Sequence, residues 1–208
     1  INKIVFNDYR NWIGNVERYE LYRSVNRLPF SPIPLYTFDR INKPNEPLKF
    51  IDLVTDFGNS GNGRFCYYVK AIEGENDIYG SSVNGSYSNI SCISQTPIIY
   101  LPNSFTPNRD EHNELFIPVT YFVSEEGYLF SIYDRNGNLI FETDDPKKGW
   151  DGSLNGNVVQ NGTYVYIMNY KNGVGNIINK SGIVPKNPLF WPGKAGKVGR
   201  ARPGLGSL

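Results

Sequence analysis

The sequence is poor in the residues that most catalytic and metal sites require. Its 208 residues include one histidine, one methionine and two cysteines. A single histidine leaves one candidate for a histidine general base. Two cysteines without a neighbouring histidine cluster are too few ligands for a zinc site. No G-x-S-x-G, H-E-x-x-H or P-loop motif is present. We therefore predict that the chain is not an enzyme and has no catalytic residues.

Long apolar runs and a strong excess of one charge are also missing. No run approaches the roughly 18 apolar residues that cross a bilayer, so we expect no membrane-spanning segment. The segment from Pro185 onward carries five of the 21 basic residues and no acidic residue, which leaves 16 basic against 20 acidic residues elsewhere. A weakly acidic body offers no electrostatic footprint for nucleic acid, so we expect no nucleic-acid partner.

Tyrosine, phenylalanine, glycine and proline are abundant, which favours many short strands joined by turns. Residues 17–24 and 65–72 alternate apolar with polar side chains, and a third strand is expected at residues 87–93. The predicted fold is all-β, with two tandem Ig-like or fibronectin-like β-sandwich domains. Their predicted bounds are 1–96 and 97–184, because alternation stops at Gln95-Thr96-Pro97 and restarts at Ile98.

The run Tyr67-x-Val69-x-Ala71 resembles the sixth strand of fibronectin type III domains. Trp12 and Tyr22 are the candidate core aromatics of this first domain. The resemblance covers residues 1–94 and implies a fibronectin-like sandwich.

Cys66 and Cys92 are predicted to form a disulfide. If an antiparallel hairpin turns near Tyr79, the two residues lie opposite each other, at a Cα separation of roughly 4.5 to 5.5 Å that a disulfide can bridge. The alternative is two unrelated buried thiols. A disulfide implies an oxidising compartment, either the periplasm or the cell exterior.

Two hairpins are predicted in the second domain. Asn136-Gly137 fits a type I′ turn that aligns Ile132 with Phe141 and Asp134 with Leu139. Asn172-Gly173 fits the same turn and sets residues 163–170 against residues 174–181. Trp150, in the segment between these hairpins, is expected to close one end of the core.

Residues 185–208 are rich in glycine and proline and lack alternation. Pro185 is expected to end the strand ladder. The segment is predicted to be a flexible basic tail, either native or a cloning-derived extension. The alternative is a segment that becomes ordered on a partner through Leu189, Phe190 and Trp191.

Four sequence blocks stand out in the second half. Their motif residues are Pro102, Asn103, Phe105, Thr106 and Pro107; Tyr133, Asp134, Arg135 and Gly137; Trp150, Asp151 and Gly152; and Gly162, Thr163 and Tyr164, with Lys180-Ser181-Gly182 following. With these blocks, the second half resembles the gliding-motility-associated C-terminal domain of Bacteroidetes surface proteins, the type B sorting domain of the type IX secretion system.

The resemblance implies an export address that is read by the outer-membrane type IX translocon. It also implies a second partner, an outer-membrane barrel similar to PorP or SprF, and a parent protein of the gliding or adhesin type. The expected location is the outer cell surface or the medium, reached through the periplasm. The alternative function is an adhesive or stalk module that binds a carbohydrate or a protein.

The loop 108–114 is a candidate calcium site, and no other cofactor is expected. Asn108, Asp110, Asn113 and Glu114 keep the oxygen-bearing positions of the family loop, although the two glycines that the family usually has there are replaced. The alternative is a turn held by side-chain to backbone hydrogen bonds. His112 lies in the same loop and is expected to be solvated.

Overall fold

The chain is described from a computed structural model that covers residues 1–12, 15–59, 61–74, 84–103, 105–108 and 112–186. The described residues form an all-β protein with one short 3₁₀ helix at Thr55–Phe57. Alternating side chains and frequent turn residues produce strands here, as the sequence predicts.

In the part of the chain that the structure describes, the first half contains seven strands. They are β1 (Asn2–Val5), β2 (Val16–Val25), β3 (Tyr36–Asp39), β4 (Lys49–Asp52), β5 (Arg64–Glu73), β6 (Gly85–Tyr87) and β7 (Ser91–Ser94). One sheet has the order β3-β2-β5, with β6 and β7 both pairing along β5, and a second sheet pairs β1 with β4. All of these pairings are antiparallel.

The core of the first half lies between these two sheets. Phe65, Tyr67, Val69 and Ala71 are all buried on one face of β5, which confirms the predicted alternation. From β2 the core takes Tyr19 and Leu21, whereas Tyr22 is buried outside this cluster and stacks on Tyr68. Tyr22 differs from the expectation because successive strand residues point to opposite faces of the sheet. Trp12 packs against the core but is only partly buried.

Cys66 of β5 and Cys92 of β7 are bonded in a disulfide, with their Cα atoms 4.0 Å apart. The two residues are direct partners in the antiparallel register. The predicted pairing is therefore present, although the turn near Tyr79 lies outside the described residues. The single strand expected at residues 87–93 is instead two short strands, β6 and β7, each paired with a different part of β5.

A buried polar network ties β1, β2, β4 and β5 together. Asp52 accepts a hydrogen bond from the Tyr67 hydroxyl at 2.6 Å and forms an ion pair with Arg23 at 2.6 Å. The amide of Asn2 donates to the Tyr67 hydroxyl at 2.7 Å and accepts from Gln95 at 2.5 Å. Because each of these buried groups has a partner, the network fixes the register of the small sheet over the large one.

The second half contains eight strands in the described residues. They are β8 (Ile98–Tyr100), β9 (Val119–Tyr121), β10 (Leu129–Tyr133), β11 (Leu139–Thr143), β12 (Ser153–Leu154), β13 (Asn157–Val158), β14 (Gly162–Lys171) and β15 (Ile177–Lys186). The main sheet has the order β11-β10-β14-β15, and β8-β9 and β12-β13 form two separate pairs. The aromatic core of this half is a second cluster, distinct from the first.

The first hairpin of this half uses a different turn from the predicted one. Ile132 pairs with Phe141 as expected, but Leu139 pairs with Tyr133, not Asp134, and the register shifts between Ile132 and Tyr133. Type I′ requires positive φ at both central residues, whereas only Gly137 of the pair Asn136-Gly137 has one (84°). The Asp134 carboxylate accepts the backbone N–H groups of Asn136 and Asn138 and so selects a five-residue turn.

The second hairpin repeats this turn and corrects the predicted register. Asn172 accepts the N–H groups of Val174 and Asn176 through its side chain, and Gly175, not Gly173, has positive φ (98°). The last strand therefore begins at Ile177, and Tyr170 pairs with Ile178. In both turns an Asx side chain comes first and glycine fourth, a pattern that a search for Asn-Gly pairs does not detect.

Pro185 does not end the ladder, contrary to the prediction. Strand β15 continues to Lys186, with Pro185 opposite Thr163 and Lys186 opposite Gly162. A proline is tolerated here because β15 is the outer strand of its sheet, where a missing N–H need not break a ladder bond. Residues 187–208, including Leu189, Phe190 and Trp191, lie outside the described residues.

Phe122 of the second half packs against the core of the first. Its ring lies 6.3 Å from that of Phe65, centroid to centroid, and its N–H donates to the Gly58 carbonyl at 2.8 Å. The fibronectin-like character of the first half and the residue at which the halves divide stay predictions.

Candidate functional site

Trp150 lies where three of the four sequence blocks meet. Its side chain is fully buried, and its ring lies 5.2 Å from that of Phe105 and 4.9 Å from that of Tyr164. The backbones of Trp150 and Phe116 exchange two hydrogen bonds, of 2.8 and 3.1 Å, and the indole N–H donates to the Ser153 carbonyl at 2.9 Å. The prediction that Trp150 is a core residue is thus confirmed, and it brings together blocks that are far apart in sequence.

Gly152 allows the chain to pass close to this centre. It has φ of 78°, and a Cβ atom there would lie 2.7 Å from Cε of Lys186 and 2.9 Å from Cγ of Pro107. Asp151, the preceding residue, accepts both the N–H and the hydroxyl of Ser153. The Trp-Asp-Gly segment is therefore a packed turn in which glycine is required by both conformation and space.

Lys186 also lies at this end of the domain, beside Gly152, and the sequence alone did not predict its place there. It is only 3% exposed, and its ammonium group donates to the Val159 carbonyl at 3.0 Å and to the Asn161 side chain at 3.2 Å. Burial lowers the pKa of Lys186. Its position after Pro185 predicts a tail residue, and only its pairing with Gly162 across the sheet shows its place.

A surface depression of about 340 Å³ lies beside the packed end and is lined by two of the four blocks. One wall is the turn Asp134-Arg135-Asn136, and the other is the segment 160–164 that leads into β14. The Tyr164 hydroxyl donates to the Gln160 carbonyl at 2.6 Å, which holds the second wall in place. Both walls are therefore fixed before any partner binds.

The two charged groups in the first wall have different roles. Hydrogen bonds from the Asn138 side chain and then its backbone hold the pKa of Asp134 below its usual range, so this carboxylate is committed to its turn. Arg135 is exposed, and within the described residues it makes no hydrogen bond or ion pair. Its guanidinium group is therefore the available cation at the edge of the depression.

The match to a known family agrees with this assembly. Residues 99–184 match the model of the CHU_C type IX secretion signal domain. This part of the chain is a type IX secretion signal domain. No curated protein matches the chain. The signal domain marks its protein for the type IX secretion system, and export by that system leads to the cell surface or the extracellular space.

The motif residues of the signal domain divide into buried supports and exposed groups. Phe105, Trp150 and Tyr164 are buried in the core, and Gly152 and Pro107 pack at its end. Arg135 and Thr163 are exposed and line the depression. Phe116 and Phe130 extend the aromatic cluster, and the sequence patterns alone do not single them out.

The candidate calcium loop of the signal domain is closed by its backbone. The Thr106 N–H donates to the Asn113 carbonyl at 3.0 Å, and Asn113 adopts φ of 54°. Asp110 lies outside the described residues, whereas Asn108, Asn113 and Glu114 lie within them. Within the described ranges no group of three or more acidic, histidine or cysteine side chains forms a metal site. Calcium binding here stays a prediction, as does the alternative of a side-chain-stabilised turn.

His112 is exposed, as expected. The part of the chain that the structure describes contains no helix with the length and apolar character needed to cross a bilayer.

Proposed function

We propose that this chain is the export and attachment region of a gliding or adhesin-type protein that is displayed on the outer cell surface. Its proposed partners are the outer-membrane type IX translocon and an outer-membrane barrel similar to PorP or SprF. The observation that supports this proposal is the depression whose walls are the Asp134–Asn136 turn and residues 160–164. It is a preformed surface built from signature residues of the signal domain.

Arg135 is the proposed contact group, and it pairs with an acidic side chain of the outer-membrane partner. The guanidinium group has no partner within the described residues, so binding breaks no existing ion pair. The fixed walls also reduce the entropy that is lost when the partner binds. The buried motif residues act indirectly, because they hold this surface in one shape.

The proposed role is non-catalytic. The one histidine, His112, is exposed on the loop between Phe105 and Phe116, and the sequence carries none of the nucleophile, metalloprotease or P-loop motifs. An adhesive role for the first half is compatible with export, because each half has its own core.

A secretion assay tests this proposal. The full chain is fused between a signal peptide and a fluorescent reporter, and surface-bound and released reporter are measured in cells with and without a working type IX translocon. We expect Arg135→Glu to reduce export at least tenfold. The matched control is Lys147→Glu, which makes the same charge reversal at a lysine outside the depression. The Lys147 side chain is 79% exposed, and its ion pair with Glu125, at 3.9 Å, is a long surface contact that contributes little to stability.

The outcomes separate the two levels of the proposal. Equal export of the unmodified fusion from translocon-deficient cells would exclude sorting by this system. Equal loss in both charge reversals, or loss in neither, would exclude Arg135 as the contact while leaving sorting intact. Thermal unfolding of both purified variants checks that each remains folded.

A further inference from the structure

Two loops at one end of the first half enclose a cleft that the export function does not use. One loop joins β1 to β2 and contributes residues 6–10, Trp12 and Asn15; the other joins β3 to β4 and contributes Arg40, Ile41 and residues 44–48. The cleft consists of two adjoining depressions, of about 730 and 670 Å³, that share Asp8, Arg10, Arg40 and Pro44. Loops carried on a rigid sandwich are common positions for ligand sites.

Arg40 fixes the relative position of the two loops. Its Nη1 donates to the Glu46 carbonyl at 3.0 Å, and its Nε donates to Oδ1 of Asp8 at 3.1 Å, with a second, closer contact from Nη2 to the same oxygen. The Arg40 side chain is only 11% exposed. The loops are further joined where the Phe6 N–H donates to the Leu48 carbonyl. The cleft is thus a preformed site and not a gap between mobile loops.

The Asp8 carboxylate is held in place through one of its two oxygens. Its Oδ1 accepts the Tyr19 hydroxyl at 3.2 Å as well as Arg40, and the Tyr19 hydroxyl in turn accepts the Tyr9 N–H at 2.7 Å. Within the described residues nothing donates a hydrogen bond to Oδ2 of Asp8. Arg10 is exposed and has no hydrogen bond or ion pair in the same ranges. The cleft lining therefore presents one free acceptor, Oδ2 of Asp8, and one free donor group, the Arg10 guanidinium.

The remaining lining adds an aromatic surface and no net charge. Tyr9 and Trp12 pack with ring centroids 4.6 Å apart, and both are only partly buried. The charged lining residues are Asp8, Glu46, Arg10 and Arg40, which are two acids and two bases. A balanced charge favours a neutral ligand over an anion or a cation.

We propose that this cleft binds a neutral hexose oligosaccharide. A pyranose ring carries hydroxyl groups that both donate and accept hydrogen bonds, which matches Arg10 and Oδ2 of Asp8. Its C–H face is apolar and packs on an aromatic ring, which matches Trp12 beside Tyr9. The two adjoining depressions provide room for more than one sugar unit.

The test uses the full chain labelled with ¹⁵N and titrated separately with cellohexaose, laminarihexaose and mannohexaose. At least one of them is expected to shift the backbone amides of Asp8 and Tyr9 and the indole N–H of Trp12, saturating in the millimolar range. Arg10→Ala and Asp8→Asn are expected to weaken this binding at least fivefold. The matched control, Lys147→Ala, removes an exposed cation outside the cleft and leaves the affinity unchanged.

The proposal is overturned if none of the three sugars shifts these resonances, or if the shifts map outside the two loops. Binding of an acidic probe, hexagalacturonate, in the absence of any neutral binding would refute the charge argument. Equal weakening by Lys147→Ala would also overturn it. Because Asp8→Asn removes one charge of the Arg40 pair, Arg10→Ala, which breaks no contact, decides the outcome if the first variant is unstable. The result does not depend on export.

Discussion

Replacing Gly152 by alanine places a methyl group where the packed end of the signal domain has no room for it. The new Cβ would lie 2.7 Å from Cε of Lys186 and 2.9 Å from Cγ of Pro107. Lys186 cannot easily move, because its ammonium group is held by Val159 and Asn161, and Pro107 is rigid. Overpacking of this kind costs about 1–3 kcal/mol. The backbone at φ of 78° adds about 1–2 kcal/mol for a residue with a Cβ.

We therefore expect Gly152→Ala to lower the free energy of unfolding by about 2–5 kcal/mol, the combined cost of packing and conformation. Gly156 provides the matched control in the same segment. It has φ of 79°, and a Cβ there would have nothing within 4 Å. Gly156→Ala should cost only the conformational part, about 1–2 kcal/mol. The difference between the two variants isolates the packing cost.

Urea unfolding of the full chain measures both variants. Trp12→Phe and Trp191→Phe are introduced in all samples, so that fluorescence reports on Trp150 alone. Equal destabilisation by the two alanines would refute the close packing of Gly152 against Pro107 and Lys186. A smaller loss of stability at Gly152 than at Gly156 would refute this packing more strongly. A larger loss at Gly152 would show that the Trp-Asp-Gly segment of the signal domain requires glycine for space as well as for backbone conformation.

Three further outcomes are expected from the first half. Reduction of the Cys66–Cys92 disulfide, whose residues are 26 apart in sequence, should lower the free energy of unfolding in urea by about 3.5 kcal/mol in the loop-entropy model. Asp52→Asn should lower the free energy of unfolding by about 3 kcal/mol, because Arg23 and Tyr67 lose a buried charged acceptor. The exposed control Asp56→Asn should change it by no more than about 0.5 kcal/mol. Equal effects of the two substitutions would contradict the buried network. Burial, and then the hydrogen bond to Glu20, raises the pKa of Tyr22 from 10.0 to about 12. The folded protein thus holds this phenol proton more tightly, and the stability it provides below pH 10 is lost between pH 10 and about 12; Tyr22→Phe should flatten that decline in a pH series of unfolding curves.

Local patterns in the sequence were sufficient for several strands and for one long-range contact. Alternation at residues 65–72 predicted which face of β5 is buried, because side chains on a strand point to opposite sides in turn. The pairing of Cys66 with Cys92 followed from antiparallel arithmetic, which needs only the position of a turn. The four blocks indicated the type IX secretion signal domain, because their residue types and spacing are specific to it.

Register and assembly were decided by contacts that no local pattern contains. Asn136-Gly137 and Asn172-Gly173 suggested two-residue turns, but the side chains of Asp134 and Asn172 bind backbone N–H groups and move the bend to Gly137 and Gly175. That choice shifts every pair in the second hairpin, since the register of a hairpin follows from its turn.

The end of the signal domain around Trp150 and Lys186 also could not be predicted from local sequence. Nothing near Lys186 in the sequence indicates burial, and Pro185 suggests a tail; the residue is enclosed because β15 pairs with β14 up to Gly162 and Val159 and Asn161 supply acceptors. The depression beside Arg135 likewise exists only because strands β10 and β14 are neighbours in the sheet. The sequence by itself determined several of the strands, the disulfide and the family of the second half. The tertiary structure alone decided which signature residues are buried supports and which are exposed, because burial depends on residues that are distant in the chain and adjacent only after the sheets pack.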